Sequence, residues 1–343
     1  MTSRLIRHWL IVQALAATAF IAATAAHAEP FRLILTHLEP PLVPNSVMDL
    51  ALQEGYFAAE GIDVELVRVQ QTPSALAALQ AGEGEMANVG VDALLLLVAQ
   101  GVTDLKAVTS PNKSLPFLIA ARDSIAAPAD LAGKSFGVGR PGSLDHSLSM
   151  KVLDAAGLDT SSLEILAIGQ PNVRAQALAA GQVDATTMSI GVWLSIPDKT
   201  GVHVLVDQEA YYAAAPVISK VNIVPQAVLD TRRADVEAVI RALIKISRDY
   251  AADPAKWAAA MAKVTPTATE ADLQALAKTF EGSWSVNGGM SRTELQYTQD
   301  WLYGTADFAG IKGVAVDDWV DFSVVDSVLS AIGADEDADL PVR

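Results

Sequence analysis

The stretch ALQAGEGE at residues 78–85 recurs at residues 177–184 as ALAAGQVD, 99 positions further along the chain. Each copy reads as the end of a helix, a glycine stop and an acidic turn, followed by an apolar segment typical of a strand, at residues 86–89 and 185–188. A repeat of this spacing is too long for a solenoid unit and fits two similar α/β lobes. Two lobes imply a cleft, where a ligand can bind.

The repeat itself is predicted to be scaffold. Gly82 and Gly181 stand where a helix ends, and glycine is the usual residue at that position. Glu85 and Asp184 come at the start of the following strand, so we expect both to face away from the cleft. Ligand contacts are then expected just beyond each repeated strand.

Composition limits the classes of function. The chain has 343 residues, enough for two domains, and it is half hydrophobic with only 19% charged residues, as in a globular protein. Its net charge of −16 disfavours nucleic acid, and any anionic ligand would need local donors. The absence of cysteine excludes disulfides, thiolate metal sites, cysteine nucleophiles and a lipid-modified N-terminal cysteine.

Residues 1–28 are predicted to be a signal peptide. Arg4 and Arg7 precede an apolar run over residues 9–26, and the run ends in an Ala-His-Ala site at residues 26–28. Cleavage there would leave a chain of net charge −18 that begins at Glu29, soluble and periplasmic. An uncleaved membrane anchor is the alternative, since the apolar run is of borderline length for spanning.

Strand and helix patterns alternate from residue 31 to about residue 206, which predicts mostly parallel sheets with helices on both faces. We expect the first strand at residues 31–36, a loop with three prolines, and a helix capped by Asn45 or Ser46 that runs to Ala59. Further helices are expected at residues 234–251, 254–263, 270–281, 292–303 and 319–332. Crossings near residues 110–117 and 215–224 divide the chain into lobe 1 (29–115 and 223–343) and lobe 2 (116–222).

Several motifs in order carry a family resemblance. EGYFAAEGIDVEL at residues 54–66, the two repeat copies and ADLAGKSFGV at residues 129–138 follow one another, and Gly142-Ser143 stands at a helix start after them. This series resembles the periplasmic solute-binding proteins of ABC importers of the nitrate/taurine/aliphatic-sulfonate type. The matches run from residue 31 to about residue 229, with a looser fit in the helical C-terminal region.

The resemblance implies an α/β, two-lobed periplasmic-binding-protein fold of type II, each lobe a mixed, mostly parallel sheet with flanking helices. It implies a monomer without cofactor that captures a small organic solute, anionic or zwitterionic, in the cleft. Hinge closure and delivery to a membrane permease and its ATPase would follow. The motifs leave the ligand open among sulfonates, taurine, nitrate, aromatic acids, ureides and thiamine precursors.

The sharpest candidate for ligand contact is the loop at residues 139–146, between a strand and a helix. Gly142 allows close backbone approach, and Ser143 with the free N–H groups of the helix start can hold an oxyanion. Alternatively, Ser143 or Asp145 caps the helix. An inward-facing Asp145 would favour an amine or a polar neutral ligand.

Ligands of open α/β sheets bind beyond the carboxyl ends of strands, which selects further candidates. His37 is a donor to ligand or a solvent-exposed residue, and Asp92 is a ligand contact or a helix cap. Trp193 stacks on ligand or packs in the core, and Tyr212 offers its hydroxyl or packs. The candidate set is His37, Leu38, Thr72, Gly90, Asp92, Asn112, Gly142, Ser143, Asp145, His146, Asn172, Ser189, Trp193 and Tyr212.

Catalytic patterns are weak in this sequence. Ser143, Asp145 and His146 share one turn, which cannot form a relay triad, and no G-x-S-x-G elbow is present. H-E-x-x-H, Walker and strand-linked G-x-G-x-x-G motifs are missing, and metal ligands are not clustered. We therefore expect no enzyme. The alternatives are an enzyme like the thiamine-pyrimidine synthase of the same fold, whose Cys-rich motif is absent, and a periplasmic ligand-sensing module.

Overall fold

A computed structural model describes residues 29–111, 117–280 and 282–335, arranged around two five-stranded sheets. The segment predicted as a signal peptide lies outside the described residues. We use lobe 1 for the elements around the first sheet and lobe 2 for those around the second. The predicted two-lobed α/β architecture is confirmed.

The first sheet has the strand order β2-β1-β3-β10-β4. β1 runs parallel to β2 and β3, with Phe31 opposite Val64 and Leu33 opposite Met86. β10 is antiparallel to both β3 and β4. The strands are β1 Phe31–Leu35, β2 Val64–Arg68, β3 Met86–Gly90, β4 Leu105–Thr109 and β10 Lys220–Pro225.

The second sheet repeats this plan in the order β7-β6-β8-β5-β9. β6 is parallel to β7 and β8, with Phe136 opposite Ile165 and Ala185, whereas β5 is antiparallel to β8 and β9. Each sheet is thus mixed and mostly parallel, as predicted. Its strands are β5 Phe117–Arg122, β6 Ser135–Val138, β7 Glu164–Ala167, β8 Ala185–Ser189 and β9 Val202–Val206.

The antiparallel strand of each sheet comes at a point where the chain passes between lobes. β5 is the first strand of lobe 2, and β10 brings the chain back into lobe 1. Because β10 already begins at Lys220, the predicted boundary between residues 222 and 223 falls inside this strand. An antiparallel strand starts where its parallel neighbours end, so both passages lie at the carboxyl ends of the parallel strands.

Fourteen α-helices cover the sheets within the described residues. They are α1 Val47–Gln53, α2 Tyr56–Ala59, α3 Thr72–Gln80, α4 Val91–Ala99, α5 Leu144–Ala155, α6 Pro171–Ala179, α7 Ile190–Leu194, α8 Gln208–Ala214, α9 Gln226–Ala252, α10 Pro254–Val264, α11 Glu270–Thr279, α12 Arg292–Tyr303, α13 Val316–Trp319 and α14 Phe322–Ile332. Short 3₁₀ turns lie at Pro44–Ser46, Pro128–Leu131, Thr160–Ser162 and Ala306–Phe308.

Three helix predictions were wrong in extent. The helix expected to run to Ala59 breaks into α1 and α2 because Gly55 adopts a left-handed φ of 79°. α9 begins at Gln226, well before residue 234, with a non-helical kink at Arg232. The helix expected over residues 319–332 is divided because Val320 is extended and forms a bridge to Ala107.

The repeated stretch ends two helices in the same way, as predicted. Gly82 after α3 and Gly181 after α6 have φ of 74° and 70°. The next N–H of each copy returns to the last helical turn, from Glu83 to the Ala78 carbonyl at 2.9 Å and from Gln182 to the Ala177 carbonyl at 2.8 Å. A left-handed glycine is what allows this hydrogen bond, so both glycines are structural.

The acids of the repeat, Glu85 and Asp184, accept hydrogen bonds from the neighbouring strand. Glu85 accepts hydrogen bonds from the Arg32 backbone N–H and from Arg32 Nη2, both at 2.6 Å. Asp184 accepts from the Ser135 N–H at 3.0 Å and from Ser135 Oγ at 2.8 Å. These contacts lie at the strand ends opposite to the cleft, as expected.

The hydrophobic core is larger in lobe 1, because the C-terminal helices pack there. A cluster of Tyr250, Trp257, Phe280 and Trp284 holds these helices together, with ring centroids 5.2–6.3 Å apart. Lobe 2 buries a separate core on each face of its sheet. Within the described residues, no helix is both long and apolar enough to cross a membrane.

Candidate functional site

A cavity of about 380 Å³ lies between the two lobes at the carboxyl ends of the parallel strands. Its walls come from corresponding places in the two sheets, including Thr72 and Gly90 in lobe 1 and Gln170 and Ser189 in lobe 2. Gly90 ends β3 and Ser189 ends β8, and they are again 99 positions apart. The repeat seen in the sequence therefore brings equivalent strand ends to one cleft.

The lobes touch beside this cavity. A Cβ atom placed on Gly191 would lie 2.5 Å from Leu42 Cβ and 2.6 Å from the Leu42 carbonyl oxygen. Gln170 Nε2 also donates to the Gln70 carbonyl across the cleft at 3.4 Å. The contact at Gly191 is possible only because this residue has no side chain.

Lys220 supplies a positive charge from lobe 1. It begins β10, and its Nζ donates to Thr36 Oγ1 at 2.6 Å. Removal from water disfavours the charged ammonium and lowers the pKa of Lys220 to about 8, against the attraction of Asp92. Since an ammonium group carries three donors, Lys220 retains donors for an anion in the cavity.

Asp92 lies in the first turn of α4 and is only 8% exposed. Burial raises the pKa of its carboxyl group, while N–H groups of the helix start, including that of Ala93, partly counter this effect. A Cβ on Gly90 would lie 2.3 Å from Asp92 Oδ1, so the carboxylate occupies space that only glycine leaves open. The side chain thus lies at the helix start and in the cavity wall at once.

In lobe 2 a buried arginine compensates the carboxylate of Asp145. Arg174 is 3% exposed, and its Nη2 lies 3.3 Å from Asp145 Oδ2 while it also donates to the Thr187 carbonyl at 3.0 Å. Asp145 accepts further hydrogen bonds from the Gly139 N–H at 2.9 Å and from Ser143 Oγ. Because its charge is met inside the lobe, Asp145 does not by itself exclude an anion.

The cavity wall contains more positive than negative side chains. Arg140, Arg174 and Lys220 line it, against the carboxylates of Asp92 and Asp145. Arg140 is exposed, and its guanidinium makes no hydrogen bond within the described part of the chain. In a protein of net charge −16, this local excess of positive charge favours an anionic group in the cleft.

His37 is held in place by a buried carboxylate. Its Nε2 lies 2.8 Å from Asp49 Oδ2, and Arg68 Nη2 donates to the other oxygen of Asp49 at 2.6 Å. The residue lines the cavity, so of the two alternatives for His37 the structure disfavours a solvent-exposed loop residue. The edge of the His37 ring can contact a ligand, whereas its Nε2 is already paired with Asp49.

A row of amides leads from the lobe 1 core to the cavity. Asn45 is 4% exposed and its Nδ2 donates to Asn88 Oδ1 at 3.4 Å, and Asn88 Nδ2 donates to Asn222 Oδ1 at 2.8 Å. Asn45 Oδ1 is buried without a hydrogen-bond partner in the described structure. The expected capping role was wrong for this side chain, which makes no helix-cap hydrogen bond.

Half of the predicted contact residues reach the cavity, because they follow strands or begin helices at its edge. Ser143 starts α5 without a side-chain cap hydrogen bond, so the capping interpretation is wrong for its hydroxyl, which contacts the Arg140 carbonyl at 2.7 Å. The predicted residues that line the cavity are His37, Thr72, Gly90, Asp92, Ser143, Asp145 and Ser189.

Other predicted residues lie away from the cavity, each for a local reason. Leu38 is 56% exposed, and Gly142 faces Asp307. His146 is turned back, since its Nδ1 accepts from the Gly142 N–H at 3.2 Å. Asn172 is exposed and accepts from the N–H of the next residue.

The aromatic candidates pack within lobe 2. Trp193 lies against one core cluster with Lys199 Nζ 5.5 Å from its ring centroid, and Tyr212 lies against the other. For both Trp193 and Tyr212, the structure therefore shows the packing alternative and not contact with the cavity. Asn112 falls outside the described residues.

The sequence did not predict Lys220, Arg174 or Asn45 as residues of the cavity wall. Candidates were sought after parallel strands, whereas Lys220 begins an antiparallel strand and therefore reaches the same edge from the other direction. Arg174 is hidden inside the second repeat helix, where an arginine normally faces solvent. The sequence feature that could have predicted Lys220 is its position as a cation at the start of the strand that returns to lobe 1.

Comparison with solved structures shows that this architecture is the periplasmic-binding-protein fold. The chain resembles a ligand-binding component of an ABC-type import system from Staphylococcus aureus with zinc bound, at 13% identity and a TM-score of 0.70, covering 88% of this chain and 99% of that one. It also resembles the periplasmic aliphatic sulphonate binding protein SsuA from Escherichia coli, at 17% identity and 0.65, covering 86% and 92%.

The family follows from the sequence. The family model described as NMT1/THI5 like matches residues 47–257, more than half of the chain. The protein therefore belongs to the NMT1/THI5-like family. A search of curated protein sequences gives no match.

The fold also occurs in an enzyme. The desulfurization enzyme DSZB resembles this chain at 16% identity and a TM-score of 0.58, covering 88% of this chain and 99% of that one. At these identities the likeness concerns the fold alone, so the choice between binding and catalysis depends on the cavity. Within the described residues, no group of three or more His, Asp or Glu side chains is placed to hold a metal ion.

Proposed function

We propose that this protein is the periplasmic solute-binding component of an ABC importer, which captures a small organic anion or zwitterion between its lobes. The observation that carries this proposal is Lys220 in a cavity of about 380 Å³ bounded by both lobes. That volume is in the range of small-molecule sites. A ligand that contacts both walls stabilises the closed form, which is how such a fold retains its solute.

Binding is favoured over catalysis by the state of the polar groups in the wall. The Ser143 hydroxyl is engaged by the Arg140 carbonyl and Asp145, and His37 Nε2 is engaged by Asp49. A hydrolytic or transfer reaction needs a nucleophile next to a free base, and these residues do not supply that pair. We therefore infer that the solute leaves the cleft chemically unchanged.

The test is to purify the chain from Glu29 onward under native conditions, denature it and identify the released solute by mass spectrometry. We expect one small organic anion or zwitterion, which rebinds the refolded protein and raises its melting temperature. Incubation of protein and solute should return the solute intact. Conversion to a new product would contradict the proposal and favour an enzyme of this fold.

Delivery to a membrane permease is the second part of the proposal. It predicts genes for a permease and an ATPase beside this one, and loss of solute uptake when the gene is deleted. Unchanged uptake in the deletion strain, with binding intact, would favour a periplasmic sensing role instead.

A further inference from the structure

We propose that the solute presents an N–H or O–H donor to Asn45 Oδ1, because the core of lobe 1 fixes that oxygen as an unpaired acceptor on a residue that lines the cleft. This inference rests on the proposed solute-binding function and adds a selection rule to it. The orientation of that oxygen is set at two buried methionines and is passed to Asn45 through a chain of side-chain amides.

Two thioether sulfurs fix the orientation of Asn222. Its Nδ2 lies 3.6 Å from Met48 Sδ and 3.4 Å from Met86 Sδ, and all three side chains are fully buried. A thioether sulfur accepts hydrogen bonds and donates none. Turning the amide over would direct its oxygen at two acceptors, so Asn222 keeps its NH₂ group on the sulfurs.

This orientation is passed on to the next amides. Because the NH₂ group of Asn222 is directed at the sulfurs, only its Oδ1 is left to face Asn88. Asn88 must therefore donate from Nδ2, and Asn88 Nδ2 lies 2.8 Å from Asn222 Oδ1. The Oδ1 of Asn88 then accepts a hydrogen bond from Asn45 Nδ2 at 3.4 Å. Each amide has one donor end and one acceptor end, so the direction set at the sulfurs determines which end of Asn45 is left unpaired.

The end of Asn45 that Asn88 does not use is therefore an acceptor without a partner. Asn45 lines the cavity, is 4% exposed, and its Oδ1 is buried with no hydrogen bond in the described structure. A buried acceptor left unpaired costs free energy, so a ligand that donates to it gains relative to one that does not. A site built to hydrogen-bond a ligand group discriminates strongly against analogues that lack the group.

Together with Lys220, this acceptor defines the chemical class of the solute. Lys220 Nζ favours an anionic group, whereas Asn45 Oδ1 favours a donor in the same molecule. Hydroxy acids, amino acids, and acids that carry an amide or ureide N–H meet both requirements. Nitrate and unsubstituted alkanesulfonates meet only the first, so we expect them to bind more weakly.

The direction of the amide chain is testable without any ligand. In a side-chain-labelled sample, the Asn222 Nδ2 protons should show nuclear Overhauser contacts to the ε-methyls of Met48 and Met86. The Asn45 Nδ2 protons should exchange slowly with water because they donate to Asn88. Contacts of the Asn222 Nδ2 protons to Asn88 instead of the two methionines, or fast exchange of the Asn45 Nδ2 protons, would overturn the inference.

The selection rule is tested by calorimetry with matched acids. The probes are lactate and alanine against propionate, taurine and isethionate against propane-1-sulfonate, and the co-purified solute against an analogue in which every N–H and O–H donor is replaced by N–CH₃ or O–CH₃. We expect the donor-bearing member to bind at least about tenfold more tightly. Binding without this preference overturns the inference and leaves solute binding standing, whereas no binding by any probe or co-purified solute overturns both.

Variants connect the preference to Asn45. Asn45→Ala should remove the discrimination within each pair, and Asn172→Ala, at an exposed amide outside the cavity, should keep it. If Asn45→Ala does not fold, the double variant Met48→Leu with Met86→Leu tests the same point with little change in volume. Loss of the sulfurs frees the amides to reverse, so discrimination should fall; full discrimination in these variants would overturn the inference.

Discussion

Lys220 Nζ donates to Thr36 Oγ1 at 2.6 Å, although the two residues are 184 positions apart in the chain. Thr36 directly follows β1, and Lys220 begins β10, with β3 between these strands in the sheet. The antiparallel direction of β10 is what brings a lysine from the returning chain to the carboxyl ends of the parallel strands. The threonine hydroxyl thus holds the ammonium group in the cavity wall.

Replacing this lysine should weaken solute binding. Lys220→Met keeps the length of the side chain and removes the charge, so we expect affinity for the co-purified anion to fall by at least about tenfold, since a charged hydrogen bond contributes about 1.5–3 kcal/mol. Titration calorimetry measures the change. The matched control is Lys312→Met, which removes an exposed lysine elsewhere. Equal affinities of the two variants would exclude Lys220 from the site.

The lowered pKa of Lys220 gives the binding a pH dependence. Burial lowers this pKa to about 8, so the ammonium is largely protonated at neutral pH and loses its proton as the pH rises through that value. Affinity for an anion should therefore be highest below about pH 8 and decrease above it. Calorimetry from about pH 7 to about pH 9.5 tests this sign, and the decrease should be absent in Lys220→Met.

The contact between Gly191 and Leu42 predicts a variant that cannot close. In Gly191→Ala, the new methyl group would overlap both the side chain and the carbonyl of Leu42, so the lobes would have to separate. We expect weaker solute binding with little change in thermal stability of the unliganded protein. Small-angle scattering should show no compaction on adding solute.

A second alanine variant serves as the control for this prediction. Gly313→Ala adds the same methyl group where nothing lies within 4 Å and where the backbone has no left-handed φ. Its affinity should equal that of the wild type. If Gly191→Ala also binds normally, the Leu42 contact does not limit closure.

The acid of the second repeat should contribute to stability and not to binding. Asp184→Ala leaves the Ser135 N–H and hydroxyl without their acceptor, which should lower the free energy of unfolding by about 1 kcal/mol in a urea titration. Asp154→Ala, at an exposed acid, is the matched control. A large loss of solute affinity in Asp184→Ala would contradict the assignment of this residue to the scaffold.

The same contact predicts the behaviour of the protein in acid. Burial opposes ionisation of Asp184, but the hydrogen bonds from Ser135 outweigh it and hold the pKa of Asp184 below its ordinary value. The stabilisation is therefore present above the unfolded-state pKa and is lost as the pH falls through the folded-state pKa. The difference in stability between wild type and Asp184→Ala should shrink accordingly in acid.

Local pattern was sufficient to predict the architecture. The alternation of strands and helices, the glycine stops at Gly82 and Gly181 and the ordered motifs led to two mixed sheets, as found. Helix ends were less predictable, because they depend on single backbone angles such as the left-handed φ of Gly55. Propensity over a window of residues cannot determine such a local event.

The site was predictable only where its residues follow the parallel strands. Gly90, Asp92 and Ser189 were found by that rule, since the rule describes the backbone rather than the side chain. Lys220 and Asn45 were not found, because one depends on strand direction and the other on a tertiary chain of amides. Their roles become visible only when distant segments are brought together.

Trp193 is the only tryptophan in the sequence between residues 117 and 222, and it lies in α7, two residues after the glycine that touches Leu42. Lys199 Nζ lies 5.5 Å from its ring centroid. Separation of Gly191 from Leu42 is therefore expected to change the surroundings of this indole, which emits light. The difference in emission between the wild type and Trp193→Phe can follow the movement of the lobes in real time, without an attached dye and before the solute is known.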